Sequence, residues 1–77
     1  MEIFPGDSIK ISDHKIPQKD REFCRAIKSG YYRLMSVNTV GSITLRSVGE
    51  NTLLCISLDL FNKLYINDVV VVTRREK

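Results

Sequence analysis

The side chains of this sequence that are best suited to binding chemistry are basic residues on two neighbouring predicted strands. Arg33 and Arg46 lie directly opposite each other if the turn between the strands is centred on residues 39–40. Like charges in that relation are destabilising, and an anionic ligand or a nearby acid would relieve the repulsion. Tyr31 shares the face of Arg33, and its ring is able to stack on an unpaired base. The pattern predicts a site for an anionic partner. The alternative is that the arginines only solvate an exposed sheet face, with their stems packed along it.

A second group of basic residues is predicted to lie on a short amphipathic helix in the loop after the first strand. Pro17 suits the first helical position, and Gly30 suits the left-handed stop. At about 100° per residue, the apolar and basic side chains separate onto opposite faces. The inner face holds Phe23, Ala26 and Ile27, and the outer face holds Arg21, Arg25 and Lys28. The helix therefore adds a basic ridge to the predicted binding residues.

The sequence lacks a set of residues suited to catalysis or metal binding. His14 is the only histidine and lies in a polar loop, where a solvated side chain is the simplest interpretation. A zinc site needs three or four ligands at characteristic spacing, which one histidine and the distant Cys24 and Cys55 do not supply. Each glycine lies at a predicted turn, so no phosphate-binding loop is expected. We predict that the protein is not an enzyme and holds no metal or cofactor, and that both cysteines are small, buried, reduced core residues.

Length and composition indicate one small domain, residues 1–77. The chain has 77 residues, of which 43% are hydrophobic and 27% charged, and its net charge is +3. Apolar residues run through the whole sequence, which argues against disorder. The mild positive charge favours anionic partners without selecting one class of them. We expect the C-terminal end, residues 72–77, to be frayed.

The N-terminal region does not match a secretory signal, which needs a basic start and a longer apolar run than Glu2 and Pro5 allow. The longest apolar run covers residues 69–72, far short of the ~20 residues of a membrane span. We therefore expect a cytoplasmic protein that does not enter a membrane.

Alternating apolar residues and turn signals predict a mainly β chain with five strands. The predicted strands cover residues 8–11, 31–37, 42–46, 52–56 and 69–73. Turns are predicted at residues 4–7, 38–41 and 49–51. A helical turn over residues 57–64, capped by Ser57, is predicted before the last strand. Residues 31–37 are partly apolar on both faces, which is typical of a bent strand shared by two half-sheets.

The order of these elements resembles the Src-homology-3-like small β-barrel. In that fold a long loop follows the first strand, and one helical turn precedes the last strand. The resemblance covers nearly the whole chain as topology and implies a strongly bent five-stranded barrel. The peptide-binding signature of that family is missing, since the chain has no tryptophan and no acidic run in the long loop. Residues 6–11 also resemble the opening of KOW-type nucleic-acid-binding barrels, and an open α+β sheet is the structural alternative.

Two functions agree with these features. The first is a small non-enzymatic protein-interaction module: an adaptor, inhibitor or regulatory subunit that docks on the acidic surface of a larger protein. Self-association as a homo-oligomer falls within this hypothesis, and the small size suits the regulators of bacteria and their viruses. The second is a nucleic-acid-binding module that grips phosphates with weak sequence specificity. The charge pattern permits both.

Overall fold

The structure is a computed structural model that describes residues 3–22 and 24–73. These residues form five strands, one α-helix and two single 3-10 turns. The strands are β1 (Ser8–Ile11), β2 (Gly30–Val37), β3 (Ser42–Ser47), β4 (Leu53–Ser57) and β5 (Val70–Thr73). The helix α1 (Leu58–Ile66) lies between β4 and β5, and the 3-10 turns are Asp13–Lys15 and Gln18–Asp20. The mainly β class predicted from the sequence is confirmed.

All neighbouring strands are antiparallel and form one sheet in the order β4-β3-β2-β1-β5. In the described part of the chain, β4 and β5 are the two edges of this sheet, and no pairing joins them into a closed barrel. The helix α1 contacts both edge strands. The arrangement is compatible with a small barrel-like fold, but the sheet itself is open. None of the described helices is long and apolar enough to cross a membrane.

The turns form where the sequence predicts them. Asp7 donates its backbone N–H to the carbonyl of Phe4 at 3.1 Å and accepts the N–H of Phe4 on its own carboxylate at 2.9 Å, which closes the first turn. Gly6 takes φ = 99° there, a conformation that favours glycine. Ser57 caps α1 by accepting the Leu60 N–H at 3.1 Å, as a serine at this position commonly does. The predicted helical turn therefore exists, and it extends to nine residues.

The core lies between the inner face of the sheet, α1 and the long loop after β1. Alternate residues of the strands point inward, so each strand contributes one or two apolar side chains. The buried apolar residues are Ile9, Ile11, Ile16, Cys24, Ile27, Tyr32, Leu34, Ile43, Leu45, Ile56, Phe61, Leu64, Val69 and Val70. Phe61 of α1 is fully buried among them and fixes the helix against the sheet.

The prediction of an amphipathic helix after Pro17 is wrong. The described residues of the long loop form the 3-10 turn at Gln18–Asp20 and further turns, with no α-helix before Gly30. The reason is long-range, because Ile11 pairs with Gly30 and both ends of the loop are thus held at adjacent strands. Tertiary contacts of this kind override a weak helical preference. Phe23, which was expected to anchor the helix, lies outside the described residues.

The C-terminal prediction is partly overturned. Residues 72–77 were expected to be frayed, but Val72 and Thr73 lie in β5 and pair with β1. The remaining residues, 74–77, lie outside the described part of the chain. Val71 is exposed on the outer side of the sheet, so only the inner face of β5 is buried.

Candidate binding face of the sheet

The side of the sheet that points away from the core combines basic and apolar side chains. We call it the outer face, and it is formed by Ser8, Lys10, Tyr31, Arg33, Met35, Arg46, Val48, Leu53, Cys55, Val71 and Thr73, all of which are exposed. Its position follows from the alternation of side chains along each strand. The strands contain three basic residues and no aspartate or glutamate. All three basic residues point to the outer face, so its charge is of one sign.

Arg33 and Arg46 are directly opposite each other on β2 and β3, as the sequence predicted. Ser8 of β1 flanks Arg33 on one side, and Leu53 of β4 flanks Arg46 on the other. No carboxylate forms an ion pair with either arginine, because the one ion pair among the described residues joins Lys63 to Asp20. The two arginines therefore lie in one row of the sheet, and no described carboxylate pairs with either of them.

The two arginines differ in how they are held. Arg46 donates from Nε to Oδ1 of Asn51 at 2.8 Å and also donates from Nη2 to the same oxygen. Asn51 lies in the turn between β3 and β4 with φ = 58°, a conformation that asparagine tolerates well. Arg33 makes no side-chain hydrogen bond with any described residue. One guanidinium is thus oriented by the protein, and the other is available in full to a ligand.

A cavity of about 240 Å³ opens beside this pair. The two arginines form its charged wall, and Met35 and Val48 form its apolar wall. Met35 occupies a β-bulge, because the register of β2 with β3 shifts between Leu34 and Ser36. A bulge re-aims side chains locally, and here the bulged residue lies at the edge of the cavity.

Tyr31 lies next to Lys10 on the outer face, with the Lys10 Nζ 5.9 Å from the centre of the ring. This distance is within the range of a cation–π contact. Tyr31 is 64% exposed, so much of the residue remains accessible to a partner. Tyr31 therefore holds the position that the sequence predicted for it, on the same face as Arg33.

The other predicted binding residues are exposed but do not join this group. Arg21 and Arg25 line a different cavity of about 320 Å³ together with His14. Lys28 borders a third cavity of about 270 Å³ between the long loop and β4. The three residues do not form one ridge, since the described residues of the long loop contain no α-helix that would align them.

The two cysteines have different environments, which corrects the prediction that both are core residues. Cys24 is buried, and burial together with the nearby Asp20 raises the pKa of its thiol. Cys55 is exposed on the outer face, opposite Thr44. The alternation along β4 places Ile56 inside and its neighbour Cys55 outside, and the sequence pattern alone would have shown this.

One contact was missed at the sequence level. Asp20 is only 7% exposed, and its Oδ1 accepts a hydrogen bond from the Lys63 Nζ of α1 at 2.8 Å. The other carboxylate oxygen is buried without a partner. This contact ties the long loop to α1. No signal in the sequence could pair two residues that lie 43 positions apart.

Within residues 3–22 and 24–73, no group of three or more histidine, cysteine, aspartate or glutamate side chains is placed to hold a metal ion. His14 is exposed on its 3-10 turn. Comparison of the chain with models of protein families, with curated proteins and with solved structures finds no match.

Proposed function

We propose that this protein is a small non-enzymatic interaction module that docks through its outer face on an acidic, partly apolar surface of a larger protein. The observation that carries the proposal is the composition of that face. Three basic side chains with no acidic one among the strands lie beside apolar side chains that are well exposed, such as Val48 at 64% and Leu53 at 68%. Exposed apolar groups rimmed by polar ones are typical of protein-binding surfaces.

The arrangement of the strands supports the same proposal. The order β4-β3-β2-β1-β5, with a long loop after β1 and a helix before β5, resembles the Src-homology-3-like topology. Such small sheets present one face to solvent while the other packs on the core. A cytoplasmic adaptor, inhibitor or regulatory subunit would use that free face, and a second copy of the chain is a further partner within the proposal.

A nucleic acid is the second candidate, and the observation that favours it is Tyr31. The exposed ring lies near the Lys10 Nζ and on the same face as Arg33, an arrangement in which unpaired bases can stack while cations contact phosphates. The aliphatic surface of Val48 and Leu53 is less suited to this ligand, because a phosphate backbone would leave it uncovered. Any such binding would be electrostatic and would weaken steeply as salt rises.

Crosslinking from the outer face tests the proposal. A photo-crosslinker attached to Cys55 should capture a defined protein in stoichiometric amount, and Arg33→Glu/Arg46→Glu should abolish capture. The matched control carries the crosslinker on α1, in a Cys55→Ser/Asn62→Cys variant, and should not capture it. Labelled single-stranded and double-stranded nucleic acids are titrated in parallel at low and high salt. Tight salt-sensitive binding of single strands, without protein capture, would replace the proposed function by the second candidate.

A further inference from the structure

We propose that a carboxylate of the partner binds between Arg33 and Arg46, and that an apolar side chain next to it packs on Met35 and Val48. The inference rests on the proposed function and specifies the chemistry of its central contact. The occupant is an acidic peptide segment in which an aspartate or glutamate neighbours an apolar residue.

The need for an anion follows from the pairing of the strands. The β2–β3 register holds the backbone positions of Arg33 and Arg46 opposite each other, so both side chains start from the same row of the sheet. Like charges at such positions repel. A carboxylate that contacts both guanidinium groups replaces this repulsion with two attractions, and no described residue supplies one.

A carboxylate suits the site because one guanidinium is already oriented. Asn51 accepts from Nε and Nη2 of Arg46, and Nη1 makes no hydrogen bond with any described residue. Arg33 offers its complete planar fork, which matches the two oxygens of a carboxylate. Orientation before binding lowers the entropy lost when the ligand is held.

The apolar wall of the cavity selects what accompanies the carboxylate. Met35 and Val48 line the cavity beside the arginines, and both are exposed in the free protein. Its volume of about 240 Å³ is below the ~300–1,000 Å³ of pockets that enclose whole small ligands. It therefore suits one charged group with an adjoining side chain. A phosphodiester strand places hydrophilic sugar next to its charge and would leave this wall uncovered.

A titration followed by NMR tests the proposal with three probes. They are a short capped peptide with glutamate next to phenylalanine, the same peptide with glutamine in place of glutamate, and inorganic phosphate. We expect the glutamate peptide to shift the Arg33 Nε–H and Met35 methyl signals together. It should bind more tightly than the glutamine peptide by about tenfold or more, since the contacts with both guanidinium groups lose their charge assistance in the glutamine peptide. Equal affinity of the two peptides, or tighter binding of phosphate, would overturn the proposal.

Three variants sharpen the test. Asn51→Asp gives Arg46 a carboxylate of the protein itself, at a position whose φ of 58° aspartate tolerates. It should weaken peptide binding about tenfold while leaving the melting temperature equal or higher. Arg33→Lys keeps the charge but loses the fork, and should weaken binding several-fold. Arg25→Gln, on the long loop, is the matched control and should leave affinity unchanged. Full peptide affinity in both Asn51→Asp and Arg33→Lys would overturn the proposal.

The crosslinking experiment separates this inference from the proposed function. If the outer face captures a protein and Asn51→Asp and Arg33→Lys do not weaken capture, the face is a docking surface but the cavity does not hold a carboxylate. If no protein is captured and the glutamate peptide still binds as described, the carboxylate site stands and the proposed function falls.

Discussion

Reversing one of the two facing arginines should stabilise the folded protein, although the residue is exposed. Arg33 and Arg46 are opposite each other, with no acidic residue in any strand. A cross-strand charge pair contributes roughly 0.2–1 kcal/mol, with exposed pairs at the lower end. Taking about 0.3 kcal/mol, Arg33→Glu replaces a repulsion by an attraction and gains about 0.6 kcal/mol. In a domain of this size, the melting temperature should rise by about 2–5 °C.

A double-mutant cycle isolates the pair from other effects of the substitutions. Arg33→Glu/Arg46→Glu again places like charges opposite each other and should lose the gain. The coupling energy is four pair terms of about 0.3 kcal/mol, or roughly 1 kcal/mol. Glutamate is less favoured than arginine in strands, and Arg46→Glu removes the contact with Asn51. Both costs appear in the single and double variants, so they cancel in the cycle.

Urea and thermal unfolding, followed by circular dichroism, measure the coupling energy at low and high salt. The screening length falls from about 10 Å at 0.1 M to about 3 Å at 1 M salt. The coupling should therefore shrink by more than half at 1 M. A coupling energy indistinguishable from zero at low salt, or one that persists unchanged at high salt, would refute the electrostatic argument.

Four further predictions concern the core, the loop and the thiols. Phe61→Ala should cost about 3–5 kcal/mol, because the ring is fully buried, and a chemical denaturation curve would show this loss. Lys63→Ala should cost about 1–2 kcal/mol by leaving the Asp20 carboxylate unpaired, and adding Asp20→Asn should recover part of it; no recovery would show that the ion pair is not the cause. Cys55 should react with a thiol reagent in the native state, whereas Cys24 should react only on unfolding. Burial, together with Asp20, raises the pKa of the Cys24 thiol, so the folded state keeps this proton to higher pH than the unfolded state does. The free energy of unfolding should therefore fall as pH rises past about 8.5. The fall should be smaller in Cys24→Ala.

The strands and turns were predictable because their signals are local. Alternation of side chains assigns the inner and outer faces, and turn residues fix where strands end. The pairing of Arg33 with Arg46 was predicted from a turn centred on residues 39–40. The hairpin in fact closes with Asn38 donating to the carbonyl of Ser42, one position off, and the bulge at Met35 restores the register. The pairing was thus predicted correctly, but two local deviations compensate for each other.

The long loop was not predictable in the same way. The spacing of apolar residues after Pro17 fits a helix, but the loop is pinned at both ends by β1 and β2 and in the middle by Lys63. These contacts join residues far apart in sequence, and no local pattern encodes them. The positions of Arg21 and Arg25 depend on that loop. These two residues therefore lie apart from Arg33 and Arg46, because their predicted position rested on the helix.

Measuring both the stability and the peptide affinity of one variant distinguishes a binding role of the Arg33–Arg46 pair from simple solvation of the surface. If the arginines only cover the sheet with their stems, Arg33→Glu should lower stability, because the packing of the stem is lost, and should leave peptide affinity nearly unchanged. If they hold a partner's carboxylate, the same substitution should raise stability and abolish affinity, since the new glutamate takes the place of the ligand. A single substitution that raises stability and lowers peptide affinity is not expected at an incidental surface charge. The repulsion is a cost in the free protein, and binding of an acidic partner removes it.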